Sequence, residues 1–397
     1  MTQIKFTIVI TTYNRLPLLR RAIDSALAQT VACEVVVADD CSSDDTQEYI
    51  RSLGDRVVYH RNPTNQGHAA TMNAAVNVAT GDWIKPMDDD DYIAPNCLEE
   101  MIRAIALRPQ AVICSCQAVQ VDVNQVEIGR TRQTGPGKAF YVPQEDIHYG
   151  MLMEVIPFGT PIQVAFRRDA FIQSGGWDSQ LDVNFDDIDS WIKIAQFGDA
   201  IFINECLAYR TVWPGGYNHK FSFEKRLYTH FLIKQKIYNF VSQKHHKIIP
   251  KLKTVHCYLK LHWALVAAKQ KKVVTALKLA FPSVFSLPAW QLLISAISSR
   301  RQENHLLENP LPSNFNSKPY NSITNQEWKN SGELSNFSQG FYYVIDNGNN
   351  VGFLNGIKSS LSSLFRKQSK RKLVKRSKLL HKPNQKEQVR KLVLIEK

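Results

Sequence analysis

Short apolar runs alternate with segments of helical periodicity over roughly the first ninety residues of the chain. The apolar runs are rich in β-branched residues, which favour strands buried on both faces, and they cover residues 6–11, 33–38, 57–60 and 82–87. The helical segments cover residues 16–29, 44–53 and 68–79. Strands that alternate with helices in this way predict an α/β fold with a mostly parallel, Rossmann-like central sheet flanked by helices.

Polar side chains cluster where three of these predicted strands end. The clusters are residues 12–15, 39–44 and 88–91. In parallel α/β sheets, ligands bind outside the carboxyl ends of the strands. We therefore expect the three clusters to form one ligand site.

Residues 88–91 are four consecutive aspartates. In isolation, a solvated acidic loop or a helix N-cap would explain the run. At the carboxyl end of a sheet, however, four carboxylates repel one another strongly unless a cation neutralises some of them. Oxygen ligands select a hard divalent ion, Mg²⁺ or Mn²⁺, which binds through one or two carboxylates and a phosphate. The run therefore predicts a metal site that also holds a diphosphate.

The sequence lacks the motifs of several other classes of protein. No GxxxxGK[ST] occurs and no GxGxxG follows the first predicted strand, which argues against a P-loop enzyme and a dinucleotide dehydrogenase. The seven cysteines include no CxxC pair, and Cys114 and Cys116 lie in an apolar run that favours a strand over a zinc site. No apolar run is long enough to span a membrane as a helix, and the first residues lead into a strand rather than a signal peptide. These patterns predict a cytoplasmic protein.

Five segments occur in the order and spacing of the family 2 glycosyltransferases. They are residues 7–15 (TIVITTYNR), 37–44 (VADDCSSD), 65–67 (NQG), 79–82 (ATGD) and 87–92 (MDDDDY). Each motif is weak alone, but the five together resemble that family, and later segments extend the resemblance to residue 216. The resemblance implies the GT-A fold and an inverting transfer of a sugar from a nucleoside diphosphate.

The resemblance also implies roles in the donor site. Thr12 and Tyr13 match the segment that contacts the nucleotide. Asp40 matches the aspartate that hydrogen-bonds a uracil or thymine ring, with its neighbour Asp39 as the less favoured alternative. Asn73 matches an asparagine of the same site. We therefore expect a UDP-sugar or dTDP-sugar as the donor.

The family pattern D-x-D-D divides the aspartate run into roles. Asp88 matches a carboxylate that approaches the ribose and the diphosphate, and Asp90 matches a carboxylate that holds the metal. Asp91 matches a helix cap or a group behind the metal ligands. The resemblance thus implies Asp90 and Asp88 as the ligands of Mg²⁺ or Mn²⁺.

Two positions depart from the family pattern. Many members carry arginine where this chain has Met72, so a diphosphate contact is either missing or supplied by Lys85 or another cation. Many members carry histidine where this chain has Trp213; His219 could replace it, although a plain surface role is favoured. Arg210 is a further candidate partner of the diphosphate.

An acidic segment, residues 184–189, precedes a helical pattern in which Ile188, Trp191 and Ile192 share one face. Ordinary N-terminal capping, which the helix dipole favours, would explain these aspartates. The segment also resembles the family's acidic pair followed by Asp-x-Trp, and in that alignment Asp187 matches the catalytic base. Inverting transfer needs such a base because the acceptor hydroxyl loses its proton as it attacks the anomeric carbon.

Charge divides the chain into an acidic front and a basic back. Residues 1–217 contain 17 Lys/Arg and 28 Asp/Glu, whereas residues 218–397 contain 32 and 8. We expect four regions along the chain. They are a catalytic domain at 1–217, a basic helical extension at 218–300, an Asn/Ser-rich linker at 301–356 with a small strand pair at 340–345, and a basic, mobile tail at 357–397.

The basic half has two interpretations. A helical hairpin packed on the catalytic domain would explain its periodicity and is the favoured one. Alternatively, lysines and arginines near Trp263, Phe285 and Trp290 suit the anionic headgroups at the inner face of a membrane, where a lipid-linked acceptor would be held. No nucleic acid is expected as a partner, because the tail lacks the interleaved aromatic residues typical of nucleic-acid binding.

The resemblance to family 2, together with these patterns, implies a transferase of surface polysaccharide or glycolipid synthesis, with a saccharide or lipid-linked acceptor. A nucleotidyltransferase shares the sheet and the metal chemistry, but it needs a glycine-rich loop after the first strand, and residues 11–17 contain no glycine. Outside the enzymes, the alternative is a catalytically silent nucleotide-sugar-binding protein, which Met72 and Trp213 leave open.

Overall fold

The computed structural model describes residues 4–296, apart from 132–134, 136, 157, 182–184 and 214–221, together with residues 343 and 344. The predicted α/β class is confirmed. The strands are β1 (Phe6–Thr12), β2 (Glu34–Asp39), β3 (Val58–Arg61), β4 (Trp83–Asp88), β5 (Tyr92–Ile93), β6 (Ala111–Val121), β7 (Glu127–Arg130), β8 (Ala139–Val142), β9 (Val164–Arg167), β10 (Asp199–Thr211) and β11 (Tyr343–Val344). The helices are α1 (Leu16–Leu27), α2 (Thr46–Ser52), α3 (His68–Val78), α4 (Cys97–Leu107), α5 (Gln144–Leu152), α6 (Arg168–Gln173), α7 (Asp186–Ile194), α8 (Phe223–Phe240), α9 (Leu252–Lys269) and α10 (Val273–Ala280).

The strands form one mixed sheet in the order β11-β8-β10-β6-β9-β4-β1-β2-β3, with β5 beside β10 and β7 beside β6. The four strands predicted from the front of the chain are all parallel: β1 lies between β2 and β4, and β3 pairs with β2. The later strands add antiparallel pairs, such as β4 with β9 and β6 with β9. The parallel half therefore presents several carboxyl ends at one edge, where the predicted polar clusters lie.

The central strand β1 is buried on both faces, as its β-branched sequence predicts. Ile8 and Ile10 belong to one core with Leu19 of α1. Val9 points into a second core on the opposite face, which includes Met72 of α3. Each of these side chains is withdrawn completely from water, which stabilises the fold by about 1.5–3 kcal/mol per side chain.

The helices of the basic half pack on the α/β region and on each other. Ile233 and Ile237 of α8 and Val255 of α9 belong to the same core as Val9. The remainder of α8, α9 and α10 forms a further core with the helical residues 287–296. The hairpin of two helices expected in this region corresponds to α9 and α10, which α8 joins to the rest of the molecule.

The predicted boundaries at residues 217/218, 300/301 and 356/357 lie outside the described residues. The described residues belong to one compact unit, and a second unit of residues 338–340 and 349–397 falls among those not described. Within the predicted linker, β11 pairs antiparallel with β8. No helix in the described part of the chain is both long enough and apolar enough to cross a membrane.

Candidate active site

The three polar clusters meet at the carboxyl ends of the parallel strands. At the end of β1, the Thr12 hydroxyl donates a hydrogen bond to Asp89 Oδ2 over 2.8 Å. At the end of β2, the backbone N–H of Asp40 donates to the carbonyl oxygen of Thr12 over 2.9 Å. The third cluster follows β4 directly, so the sheet register brings all three to one place.

The carboxylates of Asp88, Asp90 and Asp91 form the candidate metal site, with one oxygen from each lying within 4.8 Å of the others. Asp91 Oδ1 accepts a hydrogen bond from the Thr211 backbone over 2.8 Å, and Asp90 Oδ2 accepts one from the Trp213 indole over 3.2 Å. Among the described residues, the second oxygens of Asp88 and Asp91 accept no hydrogen bond, whereas the Asp90 carboxyl also accepts one from its own backbone N–H. The cluster thus offers carboxylate oxygens, the kind of donor that Mg²⁺ or Mn²⁺ prefers.

Burial and mutual repulsion disfavour the ionised forms of most of these aspartates. Burial raises the pKa of Asp91 well above its usual value, and the charges of Asp90 and Asp88 raise it further. Burial also raises the pKa of Asp90, as does the charge of Asp88. Burial likewise raises the pKa of Asp89 to about 7. A bound divalent cation would offset the burial and the repulsion of these carboxylates. Both the electrostatics and the oxygen ligands therefore fit a metal site.

Two cations of the chain itself lie at the cluster. Arg15 Nη1 lies 3.2 Å from Asp89 Oδ1 and 3.3 Å from Asp90 Oδ2. Its guanidinium also sits 5.1 Å from the centre of the Trp213 ring, in cation–π geometry. Arg210 is half-buried, and its charge counteracts the effect of burial on the pKa of Asp88 and Asp91. Its guanidinium makes no hydrogen bond or ion pair within the described part of the chain, so it is available to an anionic ligand.

His68, which sequence reasoning missed, joins the metal-site candidates to α7. Its Nε2 lies 3.0 Å from Asp88 Oδ1, and its Nδ1 lies 3.4 Å from Asp186 Oδ2. Burial would lower the pKa of His68, but the two carboxylates outweigh burial and hold it well above its usual value. The same contact lowers the pKa of Asp88, against the effect of its own burial. The one sequence signal was position: His68 opens α3 directly after the Asn-Gln-Gly motif.

The aspartates that open α7 have different environments. Asp187 is half-buried, and burial, with the charge of Asp186, raises its pKa to about 7. Its charge also interacts with Asp88 and His68, so it belongs to the same electrostatic site. Asp189 is fully buried and pairs instead with Lys193, at 2.9 Å, and with Lys236 of α8. Asp187 Oδ1 also accepts a hydrogen bond from the Ile188 backbone N–H over 2.7 Å, so capping accounts for one of its contacts and its role as the base stays a prediction.

The residues predicted to bind the nucleotide precede the aspartate run 88–91 in the chain, whereas α7 follows it. Asp40 is buried and accepts hydrogen bonds from Asn62 Nδ2 at 2.8 Å and from the backbone of Gln66 at 2.7 Å and Gly67 at 2.9 Å. It therefore fixes the loop that leads to His68. Tyr13, next to Thr12, is 47% exposed and available to a ligand.

The neighbouring Asp39 is also engaged. Its carboxylate accepts hydrogen bonds from the Ser42 backbone at 2.8 Å, from the Tyr59 hydroxyl at 2.8 Å and from Arg61. Asp39 is completely buried, whereas Asp40 keeps a small exposed fraction. Both carboxylates are thus held by donors of the protein, and the preference for Asp40 as the ring-binding residue stays a prediction.

Three residues discussed from the sequence have other roles in the structure. Asn73 donates to the Trp177 carbonyl at 2.9 Å and accepts from the Trp177 N–H at 2.8 Å, so its amide holds the turn before α7. Met72 is fully buried in the core. Lys85 is also fully buried, and its ammonium donates to the carbonyl of Ile162 at 2.5 Å. The suggestion that Lys85 supplies a diphosphate contact is therefore wrong. His219 lies outside the described residues.

Comparison with known proteins identifies the family. The model of the family described as "Glycosyl transferase family 2" matches residues 7–175. Over 210 residues, 52% of this chain, the sequence is 30% identical to an uncharacterized glycosyltransferase of Haemophilus influenzae, of which the match covers 67%. The chain belongs to glycosyl transferase family 2. The family 2 match spans all three clusters that build the metal-site edge.

Other relatives of this family 2 chain match over shorter stretches. It is 40% identical to the succinoglycan biosynthesis protein ExoO of Rhizobium meliloti over 119 residues, which are 29% of this chain and 34% of that protein. The chain thus spans about a third of the length of ExoO. Among solved structures, S. aureus TarS 1-349 with UDP-GlcNAc overlaps 70% of this chain and 90% of its own, at 15% identity and a TM-score of 0.48. The overlap leaves 30% of this chain unmatched. The fold is described here by its own sheet order.

Proposed function

We propose that this chain is an inverting, metal-dependent glycosyltransferase that moves a sugar from a UDP- or dTDP-linked donor to a hydroxyl group of a saccharide or lipid-linked acceptor. The observation that carries the proposal is the link through His68 between Asp88 of the acidic cluster and Asp186 of α7. It brings the candidate metal site and Asp186, the residue before the candidate base Asp187, to the two sides of one imidazole. Membership of family 2 supports the reaction class, and the similarity to the succinoglycan biosynthesis protein ExoO supports a part in surface polysaccharide synthesis, with glycolipid synthesis as the alternative.

Donor binding is proposed for the residues at the ends of β1 and β2. Tyr13 has the exposure needed to contact the nucleotide, and Thr12 lies beside it at the acidic cluster. Asp40 would accept a hydrogen bond from the ring N–H of uracil or thymine, in addition to the backbone donors it already holds. Asn73 would act indirectly, since its amide positions the turn at Trp177.

The diphosphate would bind among the cations at the acidic cluster. Asp88 and Asp90, with Asp91 beside them, would hold Mg²⁺ or Mn²⁺, and this ion would neutralise charge on the departing nucleoside diphosphate. Arg210 would add a guanidinium, which stays charged at any physiological pH and suits phosphate oxygens. Arg15 forms ion pairs with Asp89 and Asp90, so it would reduce the repulsion between these carboxylates and an anionic donor.

Asp187 would act as the general base. Inversion requires one displacement at the anomeric carbon, so a base must take the proton of the acceptor hydroxyl on the face opposite the leaving group. The carboxyl group of Asp187 has a pKa raised to about 7, close to the working pH, where a base combines ionisation with proton affinity. Its position beside Asp186 and within reach of the charge on Asp88 supports this role over simple capping.

A lipid-linked acceptor would require the protein to work at a membrane surface. A lipid-linked acceptor would be held at the inner face of a membrane, and residues 225–296 carry 13 Lys/Arg and no Asp/Glu. We therefore propose a cytoplasmic protein that makes peripheral contact with anionic lipid through its basic half.

Donor hydrolysis tests the enzymatic assignment. Release of UDP or dTDP from a panel of nucleotide sugars would be measured with Mn²⁺ for the wild type, Asp187→Asn, Asp90→Ala and the control Asp55→Asn. The side chain of Asp55 is exposed in the short 3₁₀ helix that follows α2. The wild type and the control should hydrolyse one of the donors equally, and Asp90→Ala and Asp187→Asn should be slower by about 10²-fold or more. Equal hydrolysis by all four proteins would end the assignment of both residues. No hydrolysis, combined with tight nucleotide-sugar binding, would favour a silent binding protein.

A further inference from the structure

Helix α10 is apolar on the side that faces water as well as on the side that faces the protein. Leu279 is buried in the core that α10 shares with α9. On the outer side, Val273, Val274 and Leu277 are 61–67% exposed. A surface helix of a water-soluble protein normally places charged or polar residues there. The outer side of α10 therefore lacks the pattern that contact with water alone would produce.

The exposed apolar surface continues beyond the helix. Phe281 is 66% exposed, Phe285 77% and Leu287 68%. The rings of the two phenylalanines lie 6.1 Å apart edge to face, so they form one patch rather than two isolated residues. We call Val273, Val274, Leu277, Phe281, Phe285 and Leu287 the apolar face. Contiguous exposed surfaces of this kind mark sites of interaction.

Exposed lysines lie beside the apolar face. Lys271, Lys272 and Lys278 are all exposed at or beside α10. From residue 225 to residue 296 the chain has 13 Lys/Arg and no acidic residue. Long lysine side chains can lie along an apolar surface while their ammonium groups reach an anionic layer. The combination of bulky apolar side chains with neighbouring lysines is the composition of a membrane-interface segment.

Charge also distinguishes between the candidate occupants. A second copy of this chain would bring the same lysines against one another, and the tail at 357–397 is itself strongly basic, with 14 Lys/Arg and 2 Asp/Glu. An anionic lipid surface instead offers hydrocarbon for the apolar side chains and negative headgroups for the lysines. We propose that the apolar face inserts into the interface of an anionic lipid bilayer. This inference rests on the proposed function, because it assigns the membrane contact of that proposal to a specific surface.

Vesicle flotation with the full chain tests the proposal. Vesicles of phosphatidylglycerol and phosphatidylcholine in about equal parts would be compared with phosphatidylcholine alone. The test variant is Leu277→Ser/Phe281→Ser/Phe285→Ser, in which all three positions are exposed. The matched control is Val123→Ser/Val126→Ser/Ile128→Ser, which removes three apolar side chains that are 55–59% exposed beside β7.

We expect the wild type and the control to float with the anionic vesicles and the test variant to lose at least about tenfold in partitioning, since binding scales with the apolar area that is buried. Replacing Lys271, Lys272 and Lys278 by Gln should weaken binding to anionic vesicles and leave binding to neutral vesicles unchanged. The proposal is overturned if the wild type does not bind, or if the test variant binds as well as the wild type, which would assign binding to the tail. It is also overturned if sedimentation shows a wild-type dimer that the test variant converts to a monomer.

Failure of this inference would be separable from failure of the proposed function. Donor hydrolysis in solution, without vesicles, should be the same in the wild type and in the Leu277→Ser/Phe281→Ser/Phe285→Ser variant. Conversely, Asp187→Asn should float with anionic vesicles like the wild type. Thus hydrolysis tests the site at the sheet, and flotation tests the apolar face.

Discussion

The imidazole of His68 lies 3.0 Å from the carboxylate of Asp88, and this contact spans the gap between two parts of the site. Asp88 ends β4, whereas the other nitrogen of His68 meets Asp186 at the start of α7. The two carboxylates hold the pKa of His68 well above its usual value, which favours the charged form of the imidazole. A donor diphosphate and its metal would therefore enter a site where the protein already supplies positive charge.

Replacing His68 should reduce stability in a pH-dependent way. The raised pKa of His68 means that its contribution is fully present below the unfolded value of about 6.5 and is lost as the pH rises through the folded value. We expect His68→Gln to lower the melting temperature most near pH 6 and progressively less in alkaline buffer. His256→Gln is the control, because burial lowers the pKa of that histidine. A loss of stability that grows with pH would contradict the ion-pair role of His68.

Asp187→Asn should impair turnover and spare donor binding. The amide cannot accept the acceptor proton, and loss of a general base costs about 10²–10⁴-fold in rate. The carboxyl pKa of about 7 places the rising limb of the pH profile of kcat/KM near neutrality, with activity falling as Asp187 is protonated in acid. Steady-state kinetics across pH, with nucleotide binding followed by thermal shift, would check both points. Lost nucleotide binding in the variant would instead indicate a role in the donor site.

Asp189→Asn should lower stability and spare catalysis, in contrast to Asp187→Asn. This fully buried carboxylate holds Lys193 within α7 and Lys236 of α8, and removing one member of a buried ion pair leaves uncompensated charge. We expect a loss of about 3 kcal/mol in the free energy of unfolding. Chemical denaturation would measure it, and catalysis by the folded fraction should remain. Unchanged stability together with abolished catalysis would transfer the role of base from Asp187 to Asp189.

Asp90→Asn should stabilise the metal-free protein and weaken its response to metal. The pKa of Asp90 is raised by burial and by the charge of Asp88, so its ionised form is unfavourable at neutral pH in the absence of a cation. In chelator, the melting temperature of the variant should equal or exceed that of the wild type. With Mn²⁺ and UDP, the wild type should gain the larger increase. An equal increase in both proteins would exclude Asp90 as a ligand.

The sequence patterns predicted the parallel half of the sheet and the acidic edge because both depend on local signals. Runs such as residues 6–11 fix a buried strand, and the polar residues that follow such strands must meet at one edge. The antiparallel pairings after residue 92 were not predicted, since they join segments with no regular crossover helix between them. Asp187 was identified by resemblance alone, and its raised pKa comes from packing that no local pattern contains.

The residues that were missed or misjudged depend on long-range geometry. His68 and Asp186 are distant in sequence, and only the packing of α3 beside α7 brings them together. Lys85 is misjudged for a simpler reason. It shares a face of β4 with Trp83 and Met87, whereas Asp88 is an odd number of residues away and points to the other face. Strand alternation alone would have excluded Lys85 from the diphosphate site.

The position of the metal ion is the most direct test of the proposed chemistry. Anomalous diffraction from crystals grown with Mn²⁺ and UDP would locate the ion without reference to activity. We predict one manganese peak at the carboxylates of Asp90 and Asp88, with the diphosphate of UDP bound beside it. A manganese ion bound away from residues 88–91, or a diphosphate bound there without any ion, would contradict the proposal.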